Sequence, residues 1–181
     1  KAFDWYSKAA EQGDAQSQNS LGSFFEQGLG GHPEDRDKAI HWYTKAAEQE
    51  NIDSQFSLGF LYISKKNNPD EIKKAIHWFT LAAEQGHIES QHCLGTLYEG
   101  HFYNNDEDKD LEKASYWYTQ AAKLGNASSQ AFLGNCYRWG KGVPKDTNKA
   151  ILWLTKAAKQ GDDYAQNYLA EIYENENKDI K

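Results

Sequence analysis

Gln130-Ala131-Phe132-Leu133-Gly134-Asn135-Cys136-Tyr137, followed by Lys149-Ala150-Ile151-Leu152-Trp153 and then Ala157-Ala158-Lys159-Gln160-Gly161, is one copy of a pattern that fills the chain. Lys-Ala pairs begin at Lys1, Lys38, Lys74, Lys113 and Lys149, and Trp5, Trp42, Trp78, Trp117 and Trp153 each follow four residues later. The steps are 37, 36, 39 and 36 residues. Gln18, Gln55, Gln91, Gln130 and Gln166 keep the same steps, each followed three residues later by Leu21, Leu58, Leu94, Leu133 or Leu169. A glycine comes next in four copies and Ala170 in the fifth. A period of this length is the signature of a repeat architecture.

Ala39, Trp42, Tyr43, Ala46 and Ala47 fall at i, i+3, i+4, i+7 and i+8, the single apolar stripe of an amphipathic helix. Its alanines let a neighbour approach closely. Gly13, Gly86, Gly125 and Gly161 stand where a left-handed helix cap is expected, and Glu50 breaks that rule in one copy. Leu58, Leu61 and Tyr62, like Leu94, Leu97 and Tyr98, give the Gln-Leu-Gly segment a helical stripe of its own. Each repeat is therefore a helical hairpin that cannot bury its apolar faces alone, and stacking builds one core. The expectation is an all-α, right-handed α/α solenoid. It is one repeat domain over 1–181, with a second helix at 1–13, hairpins at 14–50, 51–86, 87–125 and 126–161, and a terminal first helix with polar tail at 162–181.

These residues resemble the Sel-one-like repeat family, a cousin of the tetratricopeptide repeat: A-x-x-x-L-G-x-x-Y, a glycine-containing loop at Gly140 to Asp146, then K-A-x-x-W-x-x-x-A-A-x-x-G. The resemblance covers essentially the whole chain. The repeats exceed the 34 residues of a tetratricopeptide unit, which favours the Sel-one-like assignment. Departures are local: the loop at Lys65 to Asp70 lacks both glycines, Glu50 replaces the cap glycine, and the third loop has three extra residues. The resemblance implies adaptor and assembly roles in bacteria. It also implies an alternative, since some bacterial immunity proteins of similar fold neutralise a toxin. A third option comes from a cysteine-rich branch linked to penicillin binding and weak β-lactamase activity. Cys93 and Cys136 do not reproduce that branch's cysteine pattern.

The 181 residues carry 20 Lys plus Arg against 27 Asp plus Glu, a net charge of −7 that disfavours a phosphate-tracking surface. Nucleic acid is not an expected partner. No run approaches the roughly 20 apolar residues of a spanning helix, so membrane insertion is not expected either. The chain has no methionine and opens at Lys1, so it reads as an excerpt of a longer protein. A soluble, monomeric solenoid is expected, with bacterial cytoplasm, periplasm or the exterior all open as its location.

The G-x-G pairs at Gly28 to Gly30 and Gly140 to Gly142 lack the rest of a phosphate-loop motif and read as turns. Asn104 to Asp110 places acidic residues as a calcium loop would, but Leu111 stands where the loop glycine belongs and Trp117 where its glutamate belongs. The six histidines, at 32, 41, 77, 87, 92 and 101, lack paired ligand spacing, and His41 and His77 read as helix-surface residues. No metal, cofactor or catalytic residue is expected. Cys136 reads as a small core hydrophobe.

A partner site is sought in the columns that vary between repeats. Relative to the leucine of each first helix, positions −2, +2 and +5 share one face. Phe56, Phe60 and Ile63 make the second repeat apolar where its siblings are mostly polar, including His92, Thr96, Asn135 and Arg138. Packing against the Lys65 to Asp70 loop is the competing reading of that triplet. Phe132, Arg138, Trp139 and Tyr168 add aromatics and a cation further along. If first helices line a concave side, these ten residues form its floor, and a protein or peptide is the expected partner. The expected function is a noncatalytic protein–protein interaction module, an adaptor or scaffold.

Overall fold

The computed structural model describes residues 1–64, 68–100 and 109–178, with side chains of the last helix described to Glu174. Among these residues lie ten α-helices and one short 3-10 turn at Leu29–Gly31. The chain divides into two compact units, Lys1–His87 and Ile88–Lys181. The first holds α1 (Ala2–Glu11), α2 (Ala15–Gln27), α3 (Arg36–Ala47), α4 (Ile52–Ile63) and α5 (Pro69–Glu84). The second holds α6 (Ile88–Tyr98), α7 (Leu111–Lys123), α8 (Ala127–Trp139), α9 (Thr147–Lys159) and α10 (Asp163–Lys178). Within each unit every helix packs on its neighbours in sequence, so the two-helix repeat that the periodicity predicts is the repeat that forms. No described helix is long and apolar enough to cross a membrane.

Local chemistry sets the helix ends. After α1 the Gly13 N–H donates to the Ala10 carbonyl and the Asp14 N–H to Ala9, a Schellman closure. The same pair of bonds follows α3, α5, α7 and α9. Glu50 carries it after α3 in the left-handed region at φ 64°, where the other copies use glycine, so the conformation survives the loss of the residue that favours it. The next residue then opens the following helix: Asp14 accepts from the Ser17 N–H, Asn51 from Ser54, Asn126 from Ser129 and Asp162 from Ala165. One residue thus closes one helix and caps the next. Asp35, Asp110 and Asp146 cap α3, α7 and α9 in the same way, and each sends its own N–H back to a carbonyl of the preceding first helix.

Gln18, Gln55 and Gln130 of the glutamine column form buried rungs. Gln18 donates to the Ala10 carbonyl and accepts from Gln49, Gln55 bridges Ala47 and Gln85, and Gln130 bridges Ala122 and Gln160. Leu124 stands where Gln49, Gln85 and Gln160 stand, so the third repeat lacks that glutamine.

The core corrects one sequence expectation. The apolar stripe read from the spacing includes the tryptophan and so places it in the core, yet Trp42, Trp78, Trp117 and Trp153 are only half-buried and Trp5 is exposed. The fully buried column is the next residue: Tyr43, Phe79, Tyr118 and Leu154. The alanines at i−4 and i+3 or i+4 of that residue centre the buried stripe on it, leaving each tryptophan 100° round the helix at the stripe's edge. Gly22, Gly59, Gly95 and Gly134 make room, because a Cβ on any of them would overlap Tyr43, Phe79, Tyr118 or Leu154 respectively. The Leu-Gly signature is therefore a socket for the residue after tryptophan.

Candidate functional site

The +5 column is not a free face in the first repeat or the third. The Tyr43 hydroxyl donates to Glu26 at 2.7 Å, and Tyr118 to Glu99 at 2.8 Å. Where Phe79 replaces tyrosine, Ile63 replaces glutamate; where Leu154 does, Arg138 stands there. The column answers to the core of its own hairpin, which a comparison of first helices alone misses. Burial, reinforced by the adjacent carboxylate, pushes the Tyr43 and Tyr118 hydroxyls well above their ordinary value.

In the first unit, Phe56 and Phe60 meet edge to face at 4.8 Å and both reach the Phe79 ring, at 5.9 and 5.6 Å. His87 lies 4.5 Å from Phe56. These rings are thus the flank of the Phe79 core, with Phe56 and Ile63 half-buried and Phe60 44% exposed. Residues 65–67 of the loop that competed for them lie outside the described residues.

The second unit holds a cavity of about 330 Å³ between α6, α8 and α10. Four of the sequence-selected residues line it: His92 from α6, Phe132 and Asn135 from α8, and Tyr168 from α10. The His92 ring nitrogen Nδ1 sits 2.8 Å from Ser129 Oγ, and burial holds its pKa below the ordinary histidine value. Phe132 stacks on Tyr118 at 5.1 Å, nearly parallel. Among the described residues Asn135 Oδ1 is buried without a hydrogen-bond partner. An unmet acceptor of this kind costs about 1 to 3 kcal/mol.

The other selected residues surround this wall or serve the helices. Thr96 donates to the Cys93 carbonyl. Arg138, with only 12% of its side chain exposed, pairs with Glu171 at 2.7 Å and lies over the rings of Trp139 and Tyr168 at 4.9 and 5.5 Å. Ala131, Ser128, Asp162 and Tyr164 complete the lining, and sequence reasoning missed the last three. Asp162 hides in the cap column. Tyr164 had a signal: its column holds Gln16, Asp53, Glu89 and Ser128 in the other copies, one turn before the −2 position on the same face.

Among the described residues no group of three or more His, Cys, Asp and Glu side chains could hold a metal ion. Of the calcium-like stretch, residues 104–108 lie outside the described residues, and Asp110 is the cap of α7. Gly28 and Gly140 are left-handed caps of α2 and α8, so the G-x-G pairs are turns. Cys93 and Cys136 are free thiols, each pushed up to about 12 by burial, which leaves little thiolate at neutral pH.

Helical hairpins that repeat in sequence and bury themselves against their neighbours define an α-solenoid repeat protein. The Sel1 repeat pattern matches residues 1–14, 15–51, 52–87, 88–126, 127–162 and 163–180, and the chain belongs to the Sel1 repeat family. Over 94% of its length it is similar to c5321, a protective antigen of uropathogenic Escherichia coli with an SLR fold, at 39% identity and a TM-score of 0.78. A Sel1 repeat protein of Oxalobacter formigenes matches 94% at 30% identity and a TM-score of 0.76. The chain spans 36% and 48% of the length of those two proteins. The cysteine-rich protein B of Helicobacter pylori matches 75% of the chain, and 95% of its own length is covered, at 27% identity and a TM-score of 0.55. No curated protein matches the chain in sequence.

Proposed function

We propose that the protein is a noncatalytic binding module that holds a segment of a partner protein against the α6–α8–α10 wall of its second unit. The observation that carries this is the cavity there, walled by His92, Phe132, Asn135, Tyr164 and Tyr168 from three helices. His92, Phe132, Asn135 and Tyr168 form the pocket, with Arg138 and Trp139 as its rim. Exposed aromatics beside a buried cation suit a protein interface, where Trp, Tyr and Arg carry most of the energy. Phe60, with Phe56 and Ile63 behind it, is a second and smaller contact in this reading. Thr96 shapes α6 instead of touching the partner.

The test is to pan a library of random twelve-residue peptides, displayed on phage, against the protein and against Asn135→Phe, which installs in α8 the residue α4 carries at that column. Enriched peptides that lose at least about tenfold in affinity for the variant, equal to roughly 1.4 kcal/mol, support the module. Peptides that bind both alike, with the variant's helical circular dichroism intact, place the site elsewhere.

A further inference from the structure

Resting on that binding reading, we infer that the cavity between α6, α8 and α10 receives the side chain of an arginine or lysine from the partner protein. Its polar wall carries the Asp162 carboxylate, the Asn135 amide and the Ser128 hydroxyl. The Asp162 carboxylate accepts from the Ala165 N–H at 2.8 Å through one oxygen. Among the described residues no lysine or arginine lines the space. The cation beside it, Arg138, is neutralised by Glu171.

The remaining wall is aromatic. Phe132, Tyr164 and Tyr168 offer ring surface, and Tyr164 is 73% exposed. Tyr168 already carries the Arg138 guanidinium at 5.5 Å, so the same wall accepts a cation from within the chain. Burial keeps His92 neutral near pH 7, which removes a repelling charge from the α6 side. A carboxylate guest would face Asp162 with no lysine or arginine in the described lining to offset it, and an aliphatic guest would leave the Asp162 carboxylate unpaired. The net charge of −7 steers basic partners toward the molecule. At about 330 Å³ the space lies at the lower end of the range for small-ligand sites, about 300 to 1,000 Å³, which suits one long side chain.

The experiment sorts the peptides selected above. If the inference holds, those dependent on Asn135 share a lysine or arginine, and replacing it by norleucine or citrulline weakens binding by about tenfold or more, as for a lost charge-assisted hydrogen bond. Asp162→Asn, which retains a capping side chain, weakens the same peptides similarly. Cavity-dependent peptides that tolerate norleucine and citrulline, or bind Asp162→Asn unchanged, overturn the basic side chain while the binding module stands. Failure to select any peptide dependent on Asn135 overturns both.

Discussion

The α4–α5 hairpin and the α8–α9 hairpin both discard the tyrosine–glutamate pair of their siblings, and they fill the vacancy differently. In α4 the −2 and +2 columns are Phe56 and Phe60, which close around Phe79. In α8 the same columns are Ala131 and Asn135, and they border a cavity. One hairpin converts a polar contact into apolar packing, and the other into vacant space beside an orphaned acceptor. Identical scaffolding thus yields a filled face or a hollow one by two side chains, without altering the fold.

Removing the ring that α4 closes around breaks this comparison most severely. Phe79→Ala should cost about 3 to 5 kcal/mol in urea unfolding, whereas Trp78→Ala, at the edge of the same core, should cost about 1 to 3 kcal/mol. Equal losses would return the tryptophan column to the centre of the core. Next in size, Phe56→Ala with Phe60→Ala should cost about 2 to 4 kcal/mol, since both lie against Phe79. An unchanged melting temperature there would make them a free binding face. The polar siblings give a pH signature: a tyrosine whose pKa is raised on folding stabilises the fold fully below its unfolded value of about 10, and that stability is lost as pH rises above it. Stability should fall above pH ~10, less so in Tyr43→Phe with Tyr118→Phe. At lower pH that double variant should cost about 1 to 2 kcal/mol per lost hydroxyl. Smallest, and opposite in sign, Glu50→Gly should stabilise by about 1 kcal/mol by relieving a left-handed residue. A loss on that change would mean that the Glu50 side chain offsets its backbone strain.

The hairpins, the caps and the interhelical turns were legible because repetition displays each backbone need several times over; five copies of Leu followed by a small residue are hard to misread. The pairing of Glu26 with Tyr43 was not, since it links columns on different helices and shows only when both helices are read together. Trp78 misled because size signals burial, while its neighbour Phe79 owns the centre of the stripe. Of the cavity, His92 and Asn135 were legible as members of variable columns, and Phe132 and Tyr168 as aromatics near a cation. Asp162 was not, because a cap and a cavity-lining carboxylate share one residue type.

The residue that ends one helix and begins the next has a consequence for how such chains change length. With Asp14, Asn51, Asn126 and Asp162 each serving two helices, the joints between repeats contain no spare residue. A single insertion there would turn the following helix by about 100° relative to the one before it. Duplication or loss of a whole repeat, by contrast, leaves every joint intact. Length variation is therefore quantised at these joints and continuous only in the loops inside the hairpins, where the third repeat carries its extra residues.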